Sequence, residues 1–378
     1  MDIEKKELAD IIIRNRDVEH IMHASCQYGF HRFGRVNPEK LFSMLVTTDI
    51  HQCTTQLESA IAYLNYHDSF DCGICLGDMQ ARNYIETDGT WYTNVVNRSE
   101  KEFYTLLGNH DLGNSADIKI SATPKMAFDK FMRPVAEKIG IEGLETPYYA
   151  KVFDRYKIVL IALNNYDTPD TLNENGDFAI NRCREMYSQK QTDWLISTLA
   201  SVPEGYHVLI AMHGFPYETE AIDCPWTQEA YHHEYGNNPY GDNNMLTDIV
   251  DAWINGKAFA KDYAPIRNVD IAPTISVDCD FTKRGKGDFV CYLIGHQHRD
   301  IMSVVSKYKN QKIVCLAATG NDNWQNYCSD LARERGTKAE DAITAFSVHT
   351  EKRQVRLVRI GSNFTMNMTE RTYYVLEY

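Results

Sequence analysis

Apolar residues fall along the chain in two rhythms, short continuous runs and stretches with helical spacing. "FSMLVTT" (42–48), "CGICL" (72–76) and "EFYTLL" (102–107) read as strands, and between the first two Leu57, Ile61 and Leu64 share one face of a helix in "TTQLESAIAYLNYH". "TPKMAFDKFMRPVAEKIG" predicts a helix capped by Thr123, with Pro124 at its first position and Gly140 at its close. "YYAKVFDRYKIVLIALNN" predicts two strands joined at Asp154–Arg155, and "SQKQTDWLISTLASV" an amphipathic helix. "YHVLIAM" and "FVCYLI" are further buried strands, and "AFSVHTEKRQVRLVRIG" a late hairpin. Strands alternating with helices predict an α/β architecture. Residues 1–40, where Leu8, Ile11, Ile12 and Ile13 give way to charged and aromatic residues, read as an N-terminal helical extension. Residues 41–378 read as one domain. Within it, 215–288 loosens into Tyr, Trp, His, Asn and Gly around a single helix, "NMLTDIVDAWINGKAF", as an insertion covering a site would.

The bulk properties narrow the class. With 378 residues, 43% hydrophobic and 24% charged, this is an ordinary globular composition. The net charge of −13 argues against a broad basic face for nucleic acid. The basic stretches 283–286 and 351–359 read as a solvated loop and an exposed strand face. The first residues lack the pattern of a signal peptide, and no run nears the roughly 20 apolar residues of a membrane span. The expectation is a cytoplasmic protein with no membrane partner. Ten scattered cysteines fit reduced thiols. The one CxxC, Cys72 and Cys75, lies inside a strand, where an offset of three sends side chains to opposite faces and argues against a zinc or redox role.

Five of the apolar strands end in polar clusters: Asp49-Ile50-His51, Gly77-Asp78, Gly108-Asn109-His110-Asp111, His213-Gly214 and Gly295-His296-Gln297-His298. Ligands bind outside the carboxyl ends of strands in open α/β sheets. Convergence of these ends would gather four imidazoles, two carboxylates and an amide oxygen around one cavity, with His110 and Asp111 at its rim. Imidazole suits Zn, Fe and Mn, carboxylate and amide oxygens suit harder ions, and a shared carboxylate can hold two ions about 3.5–4 Å apart. Any one such histidine or glycine turn is ordinary. Eight of the thirteen histidines (20, 23, 31, 67, 207, 232, 233 and 349) lack this context and carry no assignment, whereas five clusters together point to a metal centre.

As a set these residues resemble the signature of the calcineurin-like metallophosphoesterase superfamily, over about residues 42–300. The resemblance implies two facing mixed β-sheets flanked by helices, a four-layer sandwich. It implies two divalent or trivalent ions (Mn, Fe or Zn), one held by Asp49, His51, Asp78 and His298, the other by Asp78, Asn109, His213 and His296. It further implies hydrolysis of a small phosphate ester by hydroxide held at the metals, with His110 assisting the leaving group. Asp111 is a second catalytic candidate beside it. Two subgroups depart from this sequence. In serine/threonine protein phosphatases the GD aspartate is followed three places on by an acid and then an arginine; here Asp78 is followed by Met79-Gln80-Ala81-Arg82, and the fourth motif is GNHD rather than GNHE. Arg82 keeps the place of a phosphate clamp, but Ala81 removes the acid, and it equally removes the tyrosine ligand of purple acid phosphatases. Alternatives are a nuclease of the same superfamily, against which the net acidity counts, and a non-catalytic metal-binding or scaffold module, against which the complete ligand set counts. Tyr217, Trp226, Tyr231, Tyr235 and Tyr240 are candidates for stacking on a base or sugar, or for self-packing of the insertion.

Overall fold

A computed structural model describes residues 41–81, 88–112, 122–170, 185–216, 219–221, 244–264, 273–320, 333, 340–362 and 373–378. The extension expected over 1–40 lies outside the described residues, as do Arg82, Tyr217, Trp226, Tyr231 to His233, Tyr235 and Tyr240.

The apolar runs form two sheets. In the first, β1 (Leu41–Thr47), β2 (Cys72–Cys75) and β3 (Phe103–Thr105) are parallel neighbours. On the other side of β1 an antiparallel meander continues through β13 (Ala342–His349), β14 (Gln354–Gly361) and β15 (Tyr373–Glu377). The second sheet has the order β4-β5-β6-β10-β12-β11-β7. These strands are β4 (Tyr149–Phe153), β5 (Ile158–Ala162), β6 (His207–Ala211), β7 (Thr219–Ala221), β10 (Asp288–Ile294), β11 (Ile301–Val305) and β12 (Lys312–Cys315). Its centre, β5 to β12, is parallel. A separate hairpin pairs β8 (Ala258–Tyr263) with β9 (Ile275–Asp280).

Burial explains the layering. Along β5, Ile158, Leu160 and Ala162 join one core, whereas Val159 and Ile161 join another with Val208, Ile210 and Phe289. A sheet whose alternate residues enter two cores is covered on both faces, as the continuous run "IVLIALNN" requires. The first core also holds the inner strands of the other sheet and the helix α1 (Thr54–Tyr66), α2 (Thr90–Val96) and the helical stretch up to Ile139. The second holds α3 (Gln189–Ser201), α4 (Met245–Asn255) and the β8–β9 hairpin. Two mixed sheets flanked by helices are the architecture expected.

Three local readings change. The helix expected over 123–140 keeps its Thr123 cap, whose Oγ1 accepts from Met126 N at 3.0 Å, and its Gly140 stop at φ +67°. Its middle, however, is a π turn (Phe128–Met132) followed by a 3₁₀ turn (Arg133–Val135), because Pro134 has no N–H to donate to the preceding turn. The helix at 244–259 ends at Asn255 on Gly256, and the chain turns into β8. Of the stretch 351–359 only the turn at 351–353 is exposed, and the strand that follows is not an exposed face. β14 lies between β13 and β15, with Arg356 and Arg359 buried, and Arg359 pairs with buried Asp300.

Candidate metal centre

The parallel strands of both sheets send their ends to one place. The strained geometry of those ends is concentrated there. Among the described residues eight non-glycine residues have positive φ, and six of these are Asp49, His51, Gln52, Asp78, His296 and His298. Left-handed backbone costs about 1–3 kcal/mol per residue and persists where surroundings enforce it. The glycines at the strand ends serve two different needs. Gly77 does take φ +108°, but Gly108 and Gly295 are required for room. A Cβ on Gly108 would lie 2.2 Å from Asp78 Oδ1, and one on Gly295 would lie 1.9 Å from Thr48 Oγ1 and 2.7 Å from Asp49 Oδ2.

The side chains assemble as two groups. Ligand atoms of Asp49, His51, Asp78 and His298 all lie within 4.8 Å of one another, as do those of Asp78, His213 and His296. Asp49 Oδ1 is 3.2 Å from His298 Nε2 and 3.8 Å from His213 Nε2, and Asp78 Oδ2 is 3.1 Å from His213 Nε2. His51 Nε2 and His298 Nε2 approach to 2.9 Å, and Asn109 Oδ1 lies 3.0 Å from His296 Nδ1. All seven expected ligands are thereby brought together.

The atoms behind them are already spoken for. His51 Nδ1 donates to Gln80 O at 2.8 Å and His213 Nδ1 to Leu76 O at 2.9 Å. A carbonyl only accepts, so each Nδ1 carries a proton and each Nε2 faces the site as the atom that can ligate an ion, His213 once its second proton has left. Asp49 Oδ2 accepts from Thr48 Oγ1 at 2.7 Å and His296 N at 3.0 Å, and Asp78 Oδ1 accepts from His110 N at 2.8 Å. The inward atoms Asp49 Oδ1, Asp78 Oδ2 and His213 Nε2 are buried without a well-aligned hydrogen-bond partner in the protein. Buried polar atoms are seldom left so. Oxygen and imidazole donors in this number fit borderline divalent ions.

Electrostatics of the metal-free chain agree. Burial works to raise the Asp49 carboxyl, yet His298 and His213 outweigh it and hold it well below the usual range. Burial acts likewise on Asp78, and His213 and His110 overcome it. Burial tends to neutralise His213, but facing Asp78 and Asp49 raises it to about 10. Burial and the neighbouring His110 push His51 down to about 4, and burial with His213 pushes His296 down to about 4. Without an ion, an imidazolium therefore offsets part of the charge of two carboxylates.

His110 begins a 3₁₀ turn (His110–Leu112) and is partly exposed at the rim, its Nε2 3.9 Å from Asp78 Oδ2 and its ring 4.8 Å from that of His51. Asp111 is not at the rim. It is fully buried, its Oδ2 accepting from Gly108 N at 2.8 Å and Asp78 N at 3.0 Å and its Oδ1 from Gln80 N at 3.0 Å. Burial and Asp78 push its carboxyl up to about 7. Its reach is inward because the turn that lifts His110 toward the cavity carries the next side chain under the loops. Cys72 and Cys75 are buried free thiols, and burial raises Cys75 to about 12.

Residues behind His213 escaped the sequence reading. Asn165 Oδ1 accepts from His213 N and Gly214 N, each at 3.3 Å, and buried Glu185 packs on Gly214. The signal was present, since "LIALNN" is a sixth apolar run ending in polar residues.

A family model described as calcineurin-like phosphoesterase matches residues 42–300. The chain belongs to the calcineurin-like phosphoesterase family. Solved structures of low similarity include a purple acid phosphatase from yellow lupin, with TM-score 0.46, 9% identity, 89% of this chain covered and 54% of that one. The phosphoesterase chain thus spans about half the length of the lupin protein. Others are a conserved uncharacterised protein, a predicted phosphoesterase, from Streptococcus pneumoniae (TM-score 0.32, 8% identity, 89% and 98% covered) and phosphopantetheinyl hydrolase from Mycobacterium tuberculosis (TM-score 0.33, 11% identity, 74% and 91% covered). No curated protein matches this phosphoesterase. No helix among its described residues is long and apolar enough to cross a membrane.

Proposed function

We propose that this phosphoesterase hydrolyses a small phosphate ester at a pair of metal ions. Asp49, His51, Asp78 and His298 would hold one ion, and Asp78, Asn109, His213 and His296 the other. The observation that carries this reading is that the two groups have the Asp78 carboxylate in common. Mn, Fe or Zn suits these donors. Such ions, when bound, activate water and neutralise charge gathering on the phosphoryl oxygens.

The protein's own contribution follows from what each side chain touches. Gln80 O and Leu76 O keep the His51 and His213 rings turned so that Nε2 points inward. Thr48 Oγ1 and His296 N occupy the outer oxygen of Asp49 and aim the other at the site. His110, at the rim beside Asp78, donates a proton to the departing oxygen. Asp111 serves through the backbone, tying the Asp78 loop to the Gly108 turn. Arg82 is proposed as a contact to the substrate phosphate; of the stretch 215–288 expected to cover a site, α4 and the β8–β9 hairpin pack in the second core instead. The test is turnover of phosphomono- and diesters, side by side, by protein loaded with Mn²⁺ or Zn²⁺. Loss of hydrolysis in Asp78→Asn with the fold retained supports the reading, and unchanged turnover sinks it. Cleavage confined to DNA or RNA and weakened steeply by salt would instead make the protein a nuclease.

A further inference from the structure

Arg333 is half-buried, and its hydrogen bonds among the described residues do not go to carboxylates. Its five N–H groups go instead to backbone carbonyls. Nη1 donates to Ala318 O at 2.8 Å and Gly320 O at 2.6 Å, Nη2 to Thr319 O at 2.6 Å and Glu340 O at 2.7 Å, and Nε to Glu340 O at 3.1 Å. Three consecutive carbonyls, those of residues 318–320, thus converge on one cation at the end of β12.

The far sides of the same peptide groups reach the centre. The peptide whose carbonyl belongs to Ala318 has the N–H of Thr319, which donates to Thr48 O at 2.8 Å. The next, with the carbonyl of Thr319, has the N–H of Gly320, which donates to Asp49 O at 3.2 Å. In a trans peptide the C=O and N–H point oppositely, so each unit is held between the guanidinium and the backbone of Thr48–Asp49. A cation on the carbonyl polarises the unit and strengthens the bond its N–H makes. Thr319 Oγ1 completes the clasp, accepting from Thr48 N at 3.1 Å. Asp49 sits in the left-handed region at φ 48°, which needs such enforcement. The clasp also joins the two sheets, since Thr48 follows β1 in one and Thr319 follows β12 in the other.

We infer that Arg333 is a positioning residue for Asp49, acting through the two peptide groups of 318–320 to set the half of the centre formed by Asp49, His51, Asp78 and His298. The inference rests on the two-ion reading above. Outer partners of metal ligands typically change affinity by about 10–100-fold.

The experiment is calorimetric titration of metal-free full-length protein with Mn²⁺, which reads stepwise affinities without activity. Wild type is expected to bind in two steps, and His298→Gln identifies which step belongs to the Asp49 half. Arg333→Gln then weakens that step about tenfold or more and leaves the other within about twofold, with Arg333→Lys intermediate. Should the Arg333 variants not fold, Thr319→Val tests the same clasp by removing the acceptor of Thr48 N, with a smaller selective loss. Arg353→Gln, at an exposed pair with Asp288, is the control and changes neither step. Equal weakening of both steps, or no change in either, overturns the role of Arg333. Absence of any Mn²⁺ binding by wild type overturns the metal reading itself, which is a distinct result.

Discussion

In the group of Asp49, His51, Asp78 and His298 all four residues have left-handed backbone, with φ of 48°, 48°, 56° and 54°. In the other group Asn109 and His213 leave their strands without it, and only the shared Asp78 and His296, at φ 71°, are left-handed. Two of the four ligands of the second half thus leave their strands without left-handed backbone, with His213 fully buried behind Asn165 and Leu76. The first half is bent loops kept in place by bonds from elsewhere, among them the 318–320 segment. Ligands on straight exits inherit their position from the sheet. Ligands on bent loops depend on props, and they should fail separately when a prop is removed.

The largest effect tests what the halves share. Asp78→Asn weakens both and should lower hydrolysis by about 10³-fold or more, measured as kcat/KM on an aryl phosphate. A residual rate near wild type would mean the halves do not work through a common carboxylate. His110→Gln should lower kcat by about 10²–10⁴-fold on alkyl esters, and much less on a nitrophenyl ester, whose leaving group needs little protonation. A loss independent of leaving group would give His110 a different task. Asp111→Asn turns an amide –NH₂ toward a backbone N–H and should cost about 1–3 kcal/mol in denaturant unfolding. Intact stability with lost activity would instead return Asp111 to the reacting groups.

Proton linkage separates the halves further. His213 in the metal-free protein is raised to about 10, above the unfolded value of 6.5. Its contribution to stability is therefore complete below about pH 6.5 and is lost as pH rises through about 10. Metal-free protein should melt progressively lower between pH 7 and 10, and Mn²⁺-loaded protein should lack that component because the ion replaces the proton. Matching slopes with and without Mn²⁺ would contradict it. The smallest effect calibrates backbone strain. Lys157, in the β4–β5 turn at φ 55°, has the same left-handed geometry without a ligand to hold. Lys157→Gly should raise stability by about 0.5–1 kcal/mol and leave activity unchanged.

Much of this was legible in the chain because burial writes directly into pattern. Two-sided strands such as "FVCYLI" and "IVLIA" are continuous apolar runs, and their polar ends mark where both sheets open. Asp49, His51, Asp78, Asn109, His213, His296 and His298 stand together because each follows such a run. What the pattern does not carry is direction at single residues and partnership across the chain. Asp111 adjoins His110 in sequence, yet one turn of 3₁₀ helix sends it beneath the loops. Arg356 and Arg359 looked solvated because charge usually is, but both are buried on a strand flanked on each side, and Arg359 pairs with Asp300. Arg333 acts on backbone carbonyls, which every residue possesses, so no side-chain motif could announce it.

The central claim is that two ions share Asp78, and metal content tests it most directly. Metal-free protein dialysed against Mn²⁺ and analysed by elemental emission should retain two ions per chain, falling to one in His298→Gln and to less than one in Asp78→Asn. One ion or none in the wild type, or two in Asp78→Asn, would contradict the account.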